Sequence, residues 1–150
     1  MLITPADGIL LGNVNDDLPS LGAYGLKKIH YFKNPELNNL DAQVFTTIIG
    51  EAAERIGANI IIFSNNADGK AIAPRLSVKL KAGLVSGALA LPDVSNGFVV
   101  KKNVFSGKAF ANVSVSTEKK IISLNPNSYK INKGEGIAEV IEPAITVPAP

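Results

Sequence analysis

The chain has 150 residues, of which 46% are hydrophobic and 19% charged, and its formal net charge is +2 at pH 7. The absence of cysteine excludes disulfides, Cys-ligated zinc and thiol chemistry, and the single histidine, His30, cannot build a His-rich metal site. The weak net charge, without a run of five basic residues, lacks the clustering that a nucleic-acid-binding surface needs. This composition is ordinary for one folded globular domain.

The beginning of the chain and its apolar runs predict where the protein is found. The stretch from Met1 to Val14 is apolar but has no basic region and no small-residue cleavage site, so we do not interpret it as a signal peptide. No apolar run approaches the roughly 18 residues that a membrane-spanning helix needs. We therefore expect a cytoplasmic, bacterial protein that does not insert into a membrane.

Strand and helix signals alternate in the first part of the chain. Ile9–Val14 is a short apolar run that predicts a buried strand, and Lys27–Lys33 predicts a second strand. Between them, Leu18–Gly25 predicts one or two helical turns that end at the glycine. His30 falls inside the second strand, so we interpret it as a packed or solvent-facing strand residue rather than a catalytic base.

The clearest helix covers Leu40–Ile56. Asp41 is a candidate N-cap, and Gly57 is a candidate for the position just after the helix. Apolar residues recur every four positions and place one stripe toward the core. The stripe consists of Val44, Ile48, Ala52 and Ile56.

The middle of the chain continues the alternation. Ala58–Phe63 is almost continuously apolar and β-branched, which is typical of a strand buried on both faces of a parallel sheet. A second helix is predicted over Lys70–Ala82, where Pro74 is tolerable only near the beginning. Its apolar stripe holds Ile72, Leu76 and Leu80, and Gly83 closes it. Leu84–Leu91 predicts the next strand.

The second half favours strands joined by short connections, which indicate hairpins and antiparallel pairing. The predicted strands are Gly97–Phe105, Lys108–Ser116 and Lys119–Leu124. Ile137–Ile141 predicts one more short strand. The proline-rich end at 143–150 is typical of a linker, so we expect a domain over 1–142 and the start of a linker after it. The order β-α-β-α-β followed by a small antiparallel meander predicts a three-layer α/β/α fold with a mainly parallel sheet.

The segment that leaves the carboxyl end of the predicted central strand is the best candidate site, because ligands of such sheets bind there. Its candidate cofactor-binding residues are Ser64, Asn65, Asn66, Gly69 and Lys70. Free amides at a helix start favour an anion. The segment is not a P-loop, because the first glycine and the hydroxyl after the lysine are missing. A polar turn with an N-cap, a nucleotide-type contact and an interface with a partner domain all stay open.

Three further residues are candidates for an interface. Arg75 lies one turn into the second helix, where it is either a buried, paired arginine or an interface anchor. Gly107 and Lys108 join two predicted strands, where glycine is expected at a tight hairpin. No Ser/His/Asp set can be assembled, because the only histidine has no serine nucleophile elbow near it. We therefore predict no enzyme activity, no metal site and no catalytic residue in this chain.

Three segments carry a resemblance to a known family. They are LGAYGLKKIHY at 21–31, the stretch from 60 to 91 and the stretch from 99 to 129, and the most specific parts are GKAIAPRLSVKL at 69–80 and FSGKAFANV at 105–113. Together they resemble the amino-terminal domain of the alpha subunit of electron transfer flavoproteins. The resemblance covers about residues 9 to 142.

The resemblance implies a supporting role in electron transfer. In that family the amino-terminal domain is a three-layer α/β domain of the adenine-nucleotide-hydrolase-like type, and a separate carboxyl-terminal domain holds FAD. The alpha subunit pairs with a beta subunit, and the heterodimer carries electrons from acyl-CoA dehydrogenases of fatty-acid β-oxidation and other dehydrogenases to a quinone reductase or other acceptors. The alternative is a nucleotide-binding module that uses the loop at 64–70.

The sequence departs from the family pattern at both ends. Ile9–Val14 resembles what is normally the second strand, so we expect the first strand of the family domain and the flavin domain to be missing. We therefore expect a fragment that binds no FAD by itself, and the family's flavin-binding residues have no counterparts to carry over. An exposed sheet edge left by the missing strand would promote self-association.

Overall fold

A computed structural model describes residues 6–126 and 133–143. The chain divides into two compact units, one formed by Met1–Phe45 with Ile131–Pro150 and the other by Thr46–Lys130. The described residues contain two α-helices, α1 (Ala42–Ile56) and α2 (Ala67–Leu80). The strands in chain order are β1 (Ala6–Leu11), β2 (Leu26–Phe32), β3 (Ile60–Ser64), β4 (Gly83–Ala88), β5 (Val99–Val104), β6 (Ala109–Ser114), β7 (Lys120–Leu124) and β8 (Glu139–Ile141).

The first unit is built on a three-stranded parallel sheet in the order β1-β2-β8. A 3-10 segment at Leu18–Tyr24 precedes β2 and ends at Gly25, whose φ of 99° favours glycine. One buried cluster of this unit contains Leu18, Ile29, Tyr31 and Ala138. The Tyr31 hydroxyl accepts a hydrogen bond from the amide of Val14 at 2.8 Å, which satisfies its polar end.

The second unit is built on a five-stranded sheet in the order β3-β7-β4-β5-β6. Strands β3, β7 and β4 are parallel, whereas β5 pairs antiparallel with β4 and β6. The central strand β7 buries Ile121, Ile122 and Ser123 in succession, because both of its faces are covered. Apolar side chains of β4, β5 and β7 form a cluster that contains Val85 and Val100.

Local sequence signals explain both helices. The Asp41 carboxylate accepts hydrogen bonds from the amides of Gln43 and Val44, as an N-cap does, and Gly57 follows the helix with φ 67°. In α2 the predicted stripe is buried, with Ile72, Leu76 and Leu80 all at most 7% exposed.

The structure confirms the predicted fold class. Helices and strands are mixed, most strand pairs are parallel, and the antiparallel part lies in the second half of the chain. The predicted helices, the turns at Leu18–Gly25 and the β5–β6 hairpin are also confirmed, with small shifts of their bounds. The domain limits at 142 stay a prediction, since residues 144–150 lie outside the described residues.

Four predictions about the sheet and α2 were wrong. The strands belong to two sheets rather than one, and β7 lies parallel between β3 and β4 instead of forming a hairpin with β6. Among the described residues, strand β3 lies at the edge of its sheet, and its alternating burial shows that it is not covered on both faces. Helix α2 begins at Ala67, which places Pro74 in its interior, and it ends before Lys81, whose φ is 52°.

A candidate site at the carboxyl ends of the parallel strands

The loop after β3 is an N-cap turn. The Asn66 side-chain oxygen accepts a hydrogen bond from the amide of Gly69 at 2.9 Å, and the Asn66 carbonyl accepts one from the amide of Lys70 at 2.9 Å. Gly69 is buried, and a β-carbon at this position would overlap the carbonyl oxygen of Ser64. The local fold therefore requires glycine three residues after the cap.

A chain of side-chain hydrogen bonds links the ends of β3 and β7. The Ser123 hydroxyl donates to the Asn65 side-chain oxygen at 2.6 Å, and the Asn65 side-chain amide donates to the Asn125 oxygen at 2.8 Å. The Asn65 backbone amide also donates to the carbonyl of Leu124 at 2.8 Å. Ser123 is 1% exposed, so its hydroxyl depends on Asn65 for a partner.

Strand β4 joins this network through an irregularity. Its pairing with β7 shifts between Ser86 and Ala88, and Gly87 between them has φ 80°, which favours glycine. The amide of Asn125 donates to the carbonyl of Ala88 at 2.9 Å. Side-chain hydrogen bonds thus link the ends of β3 and β7, and a backbone hydrogen bond links the end of β7 to β4.

Two features of this loop do not favour the phosphate groups of a nucleotide or of FAD. The Gly69 amide, which is one of the first-turn amides of α2, already donates to the Asn66 side chain. Asp68 adds a carboxylate to the first turn of α2, where it repels an anion. Lys70 is exposed and supplies the one positive side chain of the loop 64–70. Of the interpretations left open by the sequence, this geometry favours the polar turn with an N-cap.

Arg75 is exposed, so its interpretation as a buried, paired arginine was wrong. Its Nη1 donates to the carbonyl of Ala71 at 2.7 Å, four residues earlier in the same helix. Pro74 has no amide hydrogen to donate to the carbonyl of Lys70, which is the neighbouring acceptor. The guanidinium therefore covers the turn of α2 in which the proline interrupts the backbone hydrogen bonds.

Gly107 and Lys108 lie at the tip of the β5–β6 hairpin. Phe105, Ser106 and Gly107 all have positive φ, at 51°, 54° and 85°, and Phe105 is 79% exposed. On the hairpin, Phe110 is 63% exposed, and Lys101 Nζ lies 4.5 Å from the centroid of its ring.

The two exposed phenylalanines were missed by the sequence analysis as interface candidates. A signal for Phe110 was present, because it alternates with inward-facing residues and shares its face of β6 with Asn112 and Ser114. No such signal exists for Phe105, whose exposure follows from the left-handed backbone of the turn. Opposite Phe110, the buried Oδ1 of Asn103 has no hydrogen-bond partner in the described ranges 6–126 and 133–143.

His30 lies in β2, as predicted, and its Nε2 is 3.1 Å from Asp7 Oδ2 on β1. Within residues 6–126 and 133–143, no group of three or more His, Cys, Asp and Glu residues could hold a metal ion. In the same ranges, the helices are too short or too polar to cross a bilayer.

Comparison with known proteins assigns the family. The model of the electron transfer flavoprotein domain family matches residues 4–148. The chain is 28% identical over 145 residues to the electron transfer flavoprotein subunit alpha of Bacillus subtilis, covering 93% of this chain and 44% of that protein. It is 23% identical over 131 residues to the electron transfer flavoprotein subunit alpha of Syntrophomonas wolfei, covering 87% of this chain and 41% of that protein.

A third relative is subunit LctC of the lactate dehydrogenase (NAD(+),ferredoxin) of Acetobacterium woodii, at 22% identity over 111 residues, covering 73% of this chain and 27% of that protein. The chain thus spans less than half the length of the curated relatives that it matches. The resemblance to alpha subunits, predicted from motifs such as that at 69–80, is confirmed. The chain belongs to the electron transfer flavoprotein family, within the domain that its alpha subunits share.

Proposed function

We propose that this chain is a non-catalytic supporting and subunit-interface domain of an electron transfer flavoprotein alpha subunit. In this proposal it docks a beta subunit, and the full complex works in the cytoplasm. The complex carries electrons from acyl-CoA or other dehydrogenases to a quinone reductase or another acceptor. The family assignment supports the electron-transfer role, and the β5–β6 hairpin supports the docking role.

The exposed aromatic hairpin is the observation that carries the docking role. Phe105 and Phe110 are both more than half exposed, and Lys101 stacks on the second ring. Residues 98–116 contain three lysines and no acidic residue. Aromatic anchors are enriched in the centres of protein interfaces, and positive charge around them selects an acidic partner surface. We therefore assign the interface candidates Gly107 and Lys108 to the tip of this docking surface.

The flavin belongs, in this proposal, to another part of the full-length protein. The loop at 64–70 does not favour a pyrophosphate, because its Gly69 amide is bonded to Asn66 and Asp68 lies in the first turn of α2. A flavin supplies the one-electron and two-electron chemistry itself, and the surrounding protein supplies position and electrostatics. The contribution of this chain is accordingly to hold its partners in place.

Binding to the beta subunit tests the docking role. The chain is co-purified with the beta subunit of the same organism, and the affinity is measured by calorimetry. We expect Phe105→Ala and Phe110→Ala each to weaken binding by roughly tenfold, which is about 1.4 kcal/mol. Val78→Ala is the matched control, because Val78 is 81% exposed on α2, outside the hairpin. Equal binding by all three variants would contradict the proposal.

Ligand titration tests the assignment of the cofactor. We expect FAD, AMP, ADP and ATP to leave the melting temperature of the chain unchanged, since a ligand that bound the folded state would raise it. Stoichiometric binding of FAD would contradict the placement of the flavin elsewhere. A shift with an adenine nucleotide that Asn66→Ala abolishes would instead support the nucleotide-binding alternative at 64–70.

A further inference from the structure

The connection between β4 and β5 carries the single Asn-Gly pair of the sequence, Asn96-Gly97. Two backbone hydrogen bonds close this connection at its base. The amide of Asp93 donates to the carbonyl of Val99 at 2.8 Å, and the amide of Val99 donates to the carbonyl of Asp93 at 3.0 Å. Asn-Gly is common in turns because both residues tolerate a positive φ, and Gly97 has φ 84°. Asn96 and Gly97 therefore lie at the tip of a turn whose base is fixed.

No side-chain interaction holds this pair in place. Asn96 and Gly97 are both exposed, and a β-carbon on Gly97 would meet no heavy atom within 4 Å. Within residues 6–126 and 133–143, the Asn96 side chain makes no hydrogen bond. The side-chain amide of Asn96 can therefore approach the backbone nitrogen of Gly97 without breaking an existing contact of its own.

The other asparagines lack this combination, because none of them precedes a glycine. Asn65 and Asn66 also use their side chains in the hydrogen bonds at the end of β3. Asn103 and Asn112 lie in β5 and β6, and a valine follows each of them. A β-branched side chain restricts the backbone and crowds the nitrogen that the preceding side chain would have to reach, whereas glycine does neither. Asn96 is therefore the asparagine best placed to react with its own backbone.

We propose that Asn96 is a site of intramolecular modification, at which the side chain closes onto the Gly97 nitrogen and ammonia is lost. The bond that forms joins the Gly97 nitrogen to Cγ of Asn96. The bond between Cγ and Nδ2 breaks, and Nδ2 leaves as ammonia with the proton that the Gly97 nitrogen gives up. Solvent water then opens the cyclic imide at one of its two carbonyls. Opening at Cγ gives aspartate, opening at the backbone carbonyl gives isoaspartate, and neither step oxidises or reduces the chain.

The products change the charge and the backbone of the turn. Each adds one carboxylate, which lowers the formal net charge of the chain from +2 to +1. Isoaspartate also adds one methylene group to the main chain before Gly97. The tip of the turn is exposed and the bonds between Asp93 and Val99 fix its base, so we expect the modified chain to stay folded and to accumulate. This modification lies beyond the docking role proposed above.

Peptide mapping by mass spectrometry tests the proposal. The folded chain is held at mildly alkaline pH, where hydroxide removes the Gly97 amide proton, and is then cut with trypsin. The tryptic peptide 82–101 contains Asn96 and no other asparagine or glutamine, so the mass increase from the exchange of NH₂ for OH is assigned to this residue. Digestion in heavy-oxygen water labels any conversion that occurs during the preparation and separates it from conversion in the folded chain.

The same digest supplies an internal control. Peptide 109–119 contains Asn112 as its single asparagine, and Asn112 is also exposed but precedes Val113. We expect conversion at Asn96 to be roughly tenfold or more faster than at Asn112.

Two variants complete the experiment. Asn96→Gln keeps an exposed amide at the tip of the turn, but its longer side chain has to close a larger ring, so the mass increase should disappear. Asn96→Asp imitates one product and should leave the melting temperature of the chain unchanged, because the tip of the turn is exposed.

Three results would overturn the proposal. The first is a folded chain whose peptide 82–101 stays unmodified while the same synthetic peptide converts, which would show that the turn holds the pair away from the reactive geometry. The second is equal conversion at Asn96 and Asn112. The third is a lowered melting temperature for Asn96→Asp, which would contradict a modified form that stays folded and accumulates.

Discussion

Gly69 packs so closely against Ser64 that any side chain on the glycine would overlap the serine carbonyl oxygen. The first turn of α2 folds back onto the end of β3 at this point, and the Asn66 cap fixes the turn. This close approach, rather than room for a phosphate, explains the glycine in the loop 64–70.

Gly69→Ala should destabilise the chain. Alanine normally favours a helix over glycine by up to about 1 kcal/mol, but the overlap with Ser64 forces the backbone apart, and we expect a net loss of about 2 kcal/mol or more. Urea denaturation measures the effect. Gly50→Ala in α1 is the matched control, because its β-carbon would meet mainly the flexible stem of Lys79. Equal free energies of unfolding for the two variants would contradict the prediction.

The Ser123–Asn65 hydrogen bond should show as coupling in a double-mutant cycle. Asn65→Ala leaves the buried Ser123 hydroxyl without its acceptor and should cost about 1–3 kcal/mol. Asn65→Ala combined with Ser123→Ala should cost less than the sum of the single changes, because no polar group is then stranded. Asn112→Ala on the exposed face of β6 is the control. If the losses in the free energy of unfolding were additive, the Ser123 hydroxyl would have found another partner in Asn65→Ala.

Pro74→Ala should stabilise α2. The change restores an amide that can donate to the Lys70 carbonyl. This hydrogen bond offsets the conformational entropy that alanine, which is more flexible than proline, adds to the unfolded chain. We expect a gain of about 1 kcal/mol or more in the free energy of unfolding. Val78→Ala at another exposed position of α2 reports the effect of helix propensity alone. A gain for Pro74→Ala no larger than for this control would refute the account of the interrupted turn.

The pKa of Asp93 should depend on Ser95. The Ser95 hydroxyl donates to Asp93 Oδ1 at 2.7 Å and its amide donates at 2.9 Å, and these bonds hold the pKa of the Asp93 carboxyl below its ordinary value. The resulting stabilisation of the folded state is present at pH values above the ordinary pKa of the carboxyl. It is lost as the pH falls through the lowered pKa of Asp93.

NMR titration of Asp93 checks this dependence. Ser95→Ala should raise the pKa toward its ordinary value without reaching it, since the amide donor remains. Ser95→Thr keeps the hydroxyl and should keep the lowered pKa. A pKa in Ser95→Ala equal to that of the unsubstituted chain would show that the hydroxyl bond is not made in solution.

Local patterns predicted the elements that depend on neighbouring residues. The four-residue apolar repeat predicted α1, Asp41 caps it as expected, and the loop at 64–70 is the polar turn that the sequence allowed. The short connection at Gly107 correctly predicted an antiparallel hairpin. These predictions succeed because caps, helical stripes and tight turns are formed by residues within a few positions of one another.

Tertiary structure alone decided which strands are neighbours. The apolar run of β3 fits a central strand as well as an edge, and only the pairing places it at the edge with Ile60 and Ile62 half exposed. Likewise, β7 follows β6 after a short connection, yet it pairs parallel with β3 and β4. The sequence by itself determined the elements, their caps and the family, whereas strand order required partners from distant parts of the chain, which no local pattern encodes.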